Sequence, residues 1–151
     1  MDVLLVSPDP ASRDMMRLVV RSIERRLGSP ITFLEAANGE EGVRIARRAR
    51  PDAIVADEIA SREGAFSLAR TLRDDFDPYP GKIVILLERR QDEWLANWSG
   101  ADAWFVKPID PFELADRLLE LVAKSTEPKS TEPRSTEPRS TEPRSTEKET
   151  A

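Results

Sequence analysis

An aspartate at position 57 closes the apolar run Ala53-Ile-Val-Ala-Asp57, and a lysine closes another, Ala103-Trp-Phe-Val-Lys107. A carboxylate and an ammonium at neighbouring strand ends can pair with each other or hold a phosphoryl group between them. Phosphoryl transfer also needs a cation to neutralise developing charge, and Mg²⁺ wants an octahedron of oxygens anchored by carboxylates. The other two runs that lead to the same place are poor in such oxygens. Val3-Leu-Leu-Val6 continues into Ser7, Pro8 and Asp9, and the run over 82–87 ends in Leu87 and Glu88. Pro8 and Leu87 supply no side-chain oxygen, and Ser7 has no base beside it to make it a nucleophile. Asp57 and Asp9 are weak metal candidates, because Asp9 precedes Pro10 as a helix cap and its oxygens are wanted there. Glu88 is a second imperfect oxygen source. No metal or other cofactor is therefore expected.

The composition closes off other chemistries. The chain has no histidine and no cysteine, which excludes imidazole and thiolate metal sites, Ser-His and Cys-His pairs, histidine phosphocarriers and disulfides. It carries 23 basic and 28 acidic residues; five and six of these lie in 125–151, leaving 18 against 22 in residues 1–124. A mildly acidic domain does not suit nucleic acid, which wants a basic face. Arg25-Arg26 and Arg47-Arg48 sit at predicted helix ends, where cations oppose the dipole. No apolar run approaches the ~20 residues of a membrane span, so no membrane partner is expected and a reducing cytoplasm fits best.

Short Val/Ile/Leu-rich runs at 3–6, 31–36, 53–57, 82–87 and 103–107 alternate with helical periodicity. That alternation predicts an α/β fold, a doubly wound parallel sheet covered on both faces. Asp9-Pro10 starts a helix with Met15, Val19, Ile23 and Leu27 as its apolar stripe. Asn38 with Glu41 starts a second helix running to about Arg50. Asp110-Pro111 with Glu113 starts the last, whose stripe is Leu114, Leu118, Leu121 and Val122. Shorter helices are predicted over 66–72 and 91–99. In a five-stranded sheet of order 2-1-3-4-5, ligands bind beyond the strand ends between the first and third strands. Ser7, Pro8, Asp57, Leu87, Glu88 and Lys107 all fall there.

Leu4-Leu-Val-Ser-Pro-Asp-Pro10, Pro51-Asp-Ala-Ile-Val-Ala-Asp57 and Gly100-Ala-Asp-Ala-Trp-Phe-Val-Lys107-Pro108 together resemble the receiver domain of bacterial response regulators, over residues 1 to about 124. Glu35-Ala-Ala-Asn-Gly-Glu-Glu41 adds to the resemblance, which implies a flavodoxin-like receiver fold in two-component signalling. It makes Asp57 the phospho-acceptor position, Lys107 its partner across a typically cis bond to Pro108, and Trp104 the aromatic switch. It also places two carboxylates where Ser7 and Pro8 stand, and a small hydroxyl residue where Leu87 stands. The chain thus resembles an atypical member, a pseudo-receiver that is not an enzyme. The expected role is a phosphorylation-independent interaction module, with an ion pair between Lys107 and Asp57 in place of the metal. The alternatives are a working phospho-acceptor with Mg²⁺ held by Asp57 with Asp9 or Glu88, and a small-molecule sensor using the same crevice.

The resemblance implies signalling partners, or a second copy of the chain, on the face formed by the fourth helix, fifth strand and fifth helix. Trp94, Trp98 and Trp104 are assigned to that side. Trp94 and Trp98 lie four apart, so at least one is expected in the core, with Trp104 expected to be partly exposed. From Ser125 the chain repeats Ser-Thr-Glu-Pro-Lys/Arg four times and then runs to Ala151. A segment without apolar side chains to bury does not offset its ordering entropy, so 125–151 is expected to be a disordered tail or linker. Cutting the chain after Lys124 is accordingly predicted to leave the melting temperature within a few degrees of the full-length value; a larger drop in a calorimetric scan would show that the tail docks.

Overall fold

The computed structural model describes residues 1–58 and 64–126. Five parallel strands, β1 (Asp2–Val6), β2 (Thr32–Ala36), β3 (Ala53–Asp57), β4 (Lys82–Leu87) and β5 (Ala103–Val106), form one sheet of order β2-β1-β3-β4-β5. Helices α1 (Pro10–Arg21), α2 (Glu24–Leu27), α3 (Gly39–Ala49), α4 (Ala65–Asp74), α5 (Glu93–Ser99) and α6 (Pro111–Thr126) connect and cover it. A single 3₁₀ turn, Arg90–Asp92, leads into α5. The expected doubly wound α/β fold and its strand order are those observed.

Strands buried on both faces explain the continuous apolar runs. Val3 and Leu5 face one core with Val55, Val84 and Leu86, under α1 and α6. Leu4 and Val6 face the other with Ile54, Ile83, Ile85 and Leu87, under α3, α4 and α5. Each fully buried aliphatic side chain contributes ~1.5–3 kcal/mol, so the two layers together fix the strand register and with it the row of strand ends.

Local signals start the helices where the spacing predicts. Asp9 accepts a hydrogen bond from Ala11 N at 3.0 Å, Asn38 from Glu41 N at 2.9 Å, and Asp110 from Phe112 N at 2.8 Å. The first helix differs from expectation. It stops at Arg21, and the Ser22 amide bonds to Leu18 O and Val19 O before the separate turn α2 ends at left-handed Gly28. The buried face is Met16, Val19, Val20 and Ile23, while Met15 and Leu27 only flank it.

The last helix includes Ser125 and Thr126, two residues assigned above to the tail. The rest of that tail lies outside the described residues. At the opposite end of the sheet from Asp57, Arg73 of α4 ties elements together: it donates to Gly100 O, Tyr79 O and Gly81 O and pairs with Asp102 at 2.7 Å. Among the described residues no helix is long and apolar enough to cross a membrane.

Candidate functional site

The carboxyl end of β1 contributes little to a cation site. Ser7 is fully buried, and its hydroxyl accepts from Asp9 N at 3.2 Å. Its carbonyl accepts from Arg13 Nη1 at 2.5 Å. Pro8 is exposed, and Asp9 is turned away to cap α1, also accepting from Ser12 Oγ at 3.3 Å. Thus the cap role expected for Asp9 is the one it fills. Arg13, unremarked in the sequence, brings a guanidinium to this end of β1 and lies 3.8 Å from Glu35.

Asp57 ends β3 with its side chain fully buried, and Lys107 reaches it from the end of β5, Nζ 3.1 Å from Oδ1. Neither Asp57 oxygen accepts a well-directed hydrogen bond among the described residues, so the ion pair is what compensates the buried charge. The same ammonium lies 2.6 Å from Glu88 Oε1 at the end of β4. Burial works to lower the Lys107 pKa, but its hydrogen bond to Glu88 and the attraction of the Asp57 and Glu88 carboxylates outweigh it and hold the ammonium above its ordinary value. The Lys107-Pro108 peptide is cis.

Glu58 completes the arrangement, and the sequence reading passed it over. Its amide donates to Leu86 O at 2.8 Å, and its carboxylate accepts from Glu88 N at 3.0 Å, stapling β3 to the β4 end. Burial and a hydrogen bond with Asp92 push Glu58 up to about 7. Asp92 is buried, with Arg89 3.4 Å from its Oδ2. No local motif announces this pair, because the two residues meet only through the β3–β4 register and the turn before α5.

The structure therefore gathers Asp57, Lys107 and Glu88, keeps Ser7 beside them with its hydroxyl engaged, and separates Pro8 and Asp9. Leu87 is not bulk at the crevice: it is fully buried in the second core, on the face covered by α5. Among the described residues no group of three or more carboxylates is close enough to hold a metal ion.

The tryptophans depart from expectation. Trp94 and Trp98 are 67% and 52% exposed, and neither is in the core. The buried face of α5 is Ala96 and Ser99, continued from Asp92 in the preceding turn, small groups that let the helix lie close to its neighbours and turn both indoles outward. Trp104 is the half-buried one, packed against the second core. Trp98 moreover belongs to the α4 side: Arg70 of α4 stacks over its ring at 5.0 Å.

No protein-family model matches the chain. An uncharacterized response regulatory protein of Mycobacterium tuberculosis is 31% identical over 123 residues, covering 80% of this chain and 90% of that protein. The chain belongs to the response-regulator receiver family. The receiver is also 33% identical over 110 residues to the Streptomyces coelicolor transcriptional regulatory protein AfsQ1, of which it spans 44%. Among solved structures, the receiver domain of a Syntrophus aciditrophicus signal transduction histidine kinase superposes with a TM-score of 0.71 at 23% identity, over 85% of this chain and 95% of that one. The receiver domain of a Pseudomonas aeruginosa sensor histidine kinase, solved with magnesium in its active-site cleft, gives 0.65 at 25% identity, over 81% and 97%.

Glu58 carries a pH signature. A folded-state pKa raised to about 7 from the ordinary 4.5 means the folded receiver binds a proton more tightly than the unfolded chain between those values. The stability associated with that proton is fully present below pH ~4.5 and is lost as pH rises through ~7. Replacing Glu58→Gln is predicted to flatten the fall in urea midpoint between pH 5.5 and 8; an unchanged slope would place the titration elsewhere.

Proposed function

We propose that this receiver is a phosphorylation-independent protein-interaction module in bacterial signalling, a pseudo-receiver working in the cytoplasm without a cofactor and without catalysis of its own. The observation that carries this reading is the double grip of Lys107 on Asp57 and Glu88, at 3.1 and 2.6 Å. An ammonium there neutralises the carboxylate that a cation would otherwise serve. The available donors support the same reading. Asp57 and Glu88 are both engaged by Lys107, Asp9 is spent on its helix, and Ser7 and Pro8 replace the family's acidic pair, so the described residues do not fit Mg²⁺.

A second reading, aspartyl phosphorylation with a non-standard metal shell, draws on the two Asp57 oxygens that lack directed hydrogen bonds. It asks an incoming phosphoryl group to compete with Glu88 for Lys107. A small-molecule sensor using Ser7, Asp57, Glu88 and Lys107 meets the same competition, with three of its four polar contacts already joined.

Partner contacts are proposed on the face of α5, β5 and α6, for a signalling protein or a second copy, and neither for nucleic acid nor for membrane. Phe112 at the start of α6 is 80% exposed. A cavity of about 360 Å³ beside β5 is lined by Trp104, Phe105, Glu113 and Arg117. Aromatic side chains and arginine are favoured anchors of such contacts. In a strain lacking the native gene, Asp57→Asn is predicted to restore function to near the wild-type level, whereas Phe112→Glu loses most of it while melting normally. A folded Asp57→Asn protein as inactive as the deletion would make chemistry at the crevice the function.

A further inference from the structure

The outer surface of the α3, α4 and α5 layer, on the far side of those helices from the sheet, combines two features that the crevice and the β5 face do not explain. One is basic. A cavity of about 490 Å³ between α3 and α4 is lined by Arg44, Arg47, Arg48 and Thr71 together with Val43 and one carboxylate, Glu40, so three guanidinium groups outnumber a single acid. Arg47 is engaged with Asp75 through two hydrogen bonds, 2.9 and 2.6 Å. Arg44 and Arg48, like Arg25 and Arg90 elsewhere, make no ion pair or hydrogen bond with the other described residues, whereas nine arginines of this acidic domain each pair with a carboxylate. Arg44 and Arg48 sit one helical turn apart, where like charges repel unless an anion lies between or above them.

The other feature is aromatic. Trp94 and Trp98, one turn apart on α5, present their indoles to solvent. Arg70 lies over Trp98 and, through its neighbour Thr71 on α4, links the tryptophans to the arginine-lined cavity. The two features thus lie on one layer of three adjoining helices, the guanidinium groups on α3 and the indoles on α5, with α4 packed between them.

We infer that this surface docks an acidic amphipathic helix of a partner protein, its apolar stripe on Trp94 and Trp98 and its carboxylates on Arg44 and Arg48. Helices that bind in this mode place anchors at i, i+3, i+4 and i+7, and guanidinium groups recognise carboxylates bidentately. Two uncommitted arginines suit the few carboxylates on one helix face. They are too few for nucleic acid, which gains its affinity from many phosphate contacts and meets an acidic domain all round. The inference rests on the interaction-module reading and adds a surface to it.

The test uses the full chain and three synthetic peptides of equal length: an amphipathic helix with a leucine stripe and flanking glutamates, the same helix with lysines for glutamates, and a glutamate-rich peptide without leucines. Binding is followed by tryptophan fluorescence at low salt, with single-stranded DNA as a fourth probe. The acidic amphipathic peptide is expected to saturate the signal, at least tenfold more tightly than any other probe. R44E/R48E and, separately, Trp98→Ala should each weaken it by tenfold or more, while Phe112→Glu leaves it unchanged. Arg48→Gln, a milder change, should weaken it severalfold. Equal binding of the lysine peptide, tighter binding of DNA, no saturation, or indifference to the arginine changes overturns the inference. Such a failure leaves the Asp57→Asn outcome standing, since that experiment does not involve this surface.

Discussion

One ammonium group organises the carboxyl edge of the sheet. Lys107 leaves β5 and meets Asp57 from β3 and Glu88 from β4, so three strand ends converge on a single charge. A carboxylate buried as fully as Asp57 is costly unless paired, and the described residues offer it no directed hydrogen bond. The position of Lys107 is therefore a requirement of the fold as much as of the site. Everything that fixes strand register serves it: the two core layers, the Glu58 carboxylate on the Glu88 amide, and the Lys107 amide on Leu87 O at 2.9 Å.

The same arrangement bears on the chemistry. In the related P. aeruginosa receiver, magnesium occupies the cleft. Here the end of β1 presents a hydroxyl, a proline and a capping aspartate, with the Arg13 guanidinium on the Ser7 carbonyl. Positive charge at this edge thus comes from side chains. Glu88 adds a second carboxylate that a phosphoryl group would have to displace from Lys107, so one ammonium faces two carboxylates at this edge.

Much of this was legible in the sequence, for physical reasons that differ by element. The central strands β1, β3 and β4 are buried on both faces, so their aliphatic runs mark them almost to the residue, while the edge strands β2 and β5 are only partly covered. Asp9, Asn38 and Asp110 mark helix starts through side-chain oxygens that act locally. Strand order put Asp57 and Lys107 at one edge of the sheet, and the receiver resemblance implied their pairing. What escaped was non-local. Glu58 and Asp92 meet only in the folded register, and Arg13 reaches Ser7 across a helix turn. The tryptophans of α5 misled because spacing on so short a helix does not say which side faces the sheet; Ala96 and Ser99 decide that, since close packing against α4 and β5 admits only small side chains there. The break at Ser22 was invisible to periodicity because Ile23 remains in phase with Val19 on either side of it.

The central claim is that Lys107 and the missing carboxylates leave no working phosphoryl and metal site. The most direct measurement is a titration of the receiver with Mg²⁺ to millimolar concentrations, with and without beryllofluoride, followed by amide chemical shifts of residues around Asp57 and by Trp104 fluorescence. The account predicts no saturable change with either addition. Saturable, Mg²⁺-dependent shifts at Asp57, Glu88 and Lys107 on adding beryllofluoride would contradict it and restore aspartyl phosphorylation as the receiver's chemistry.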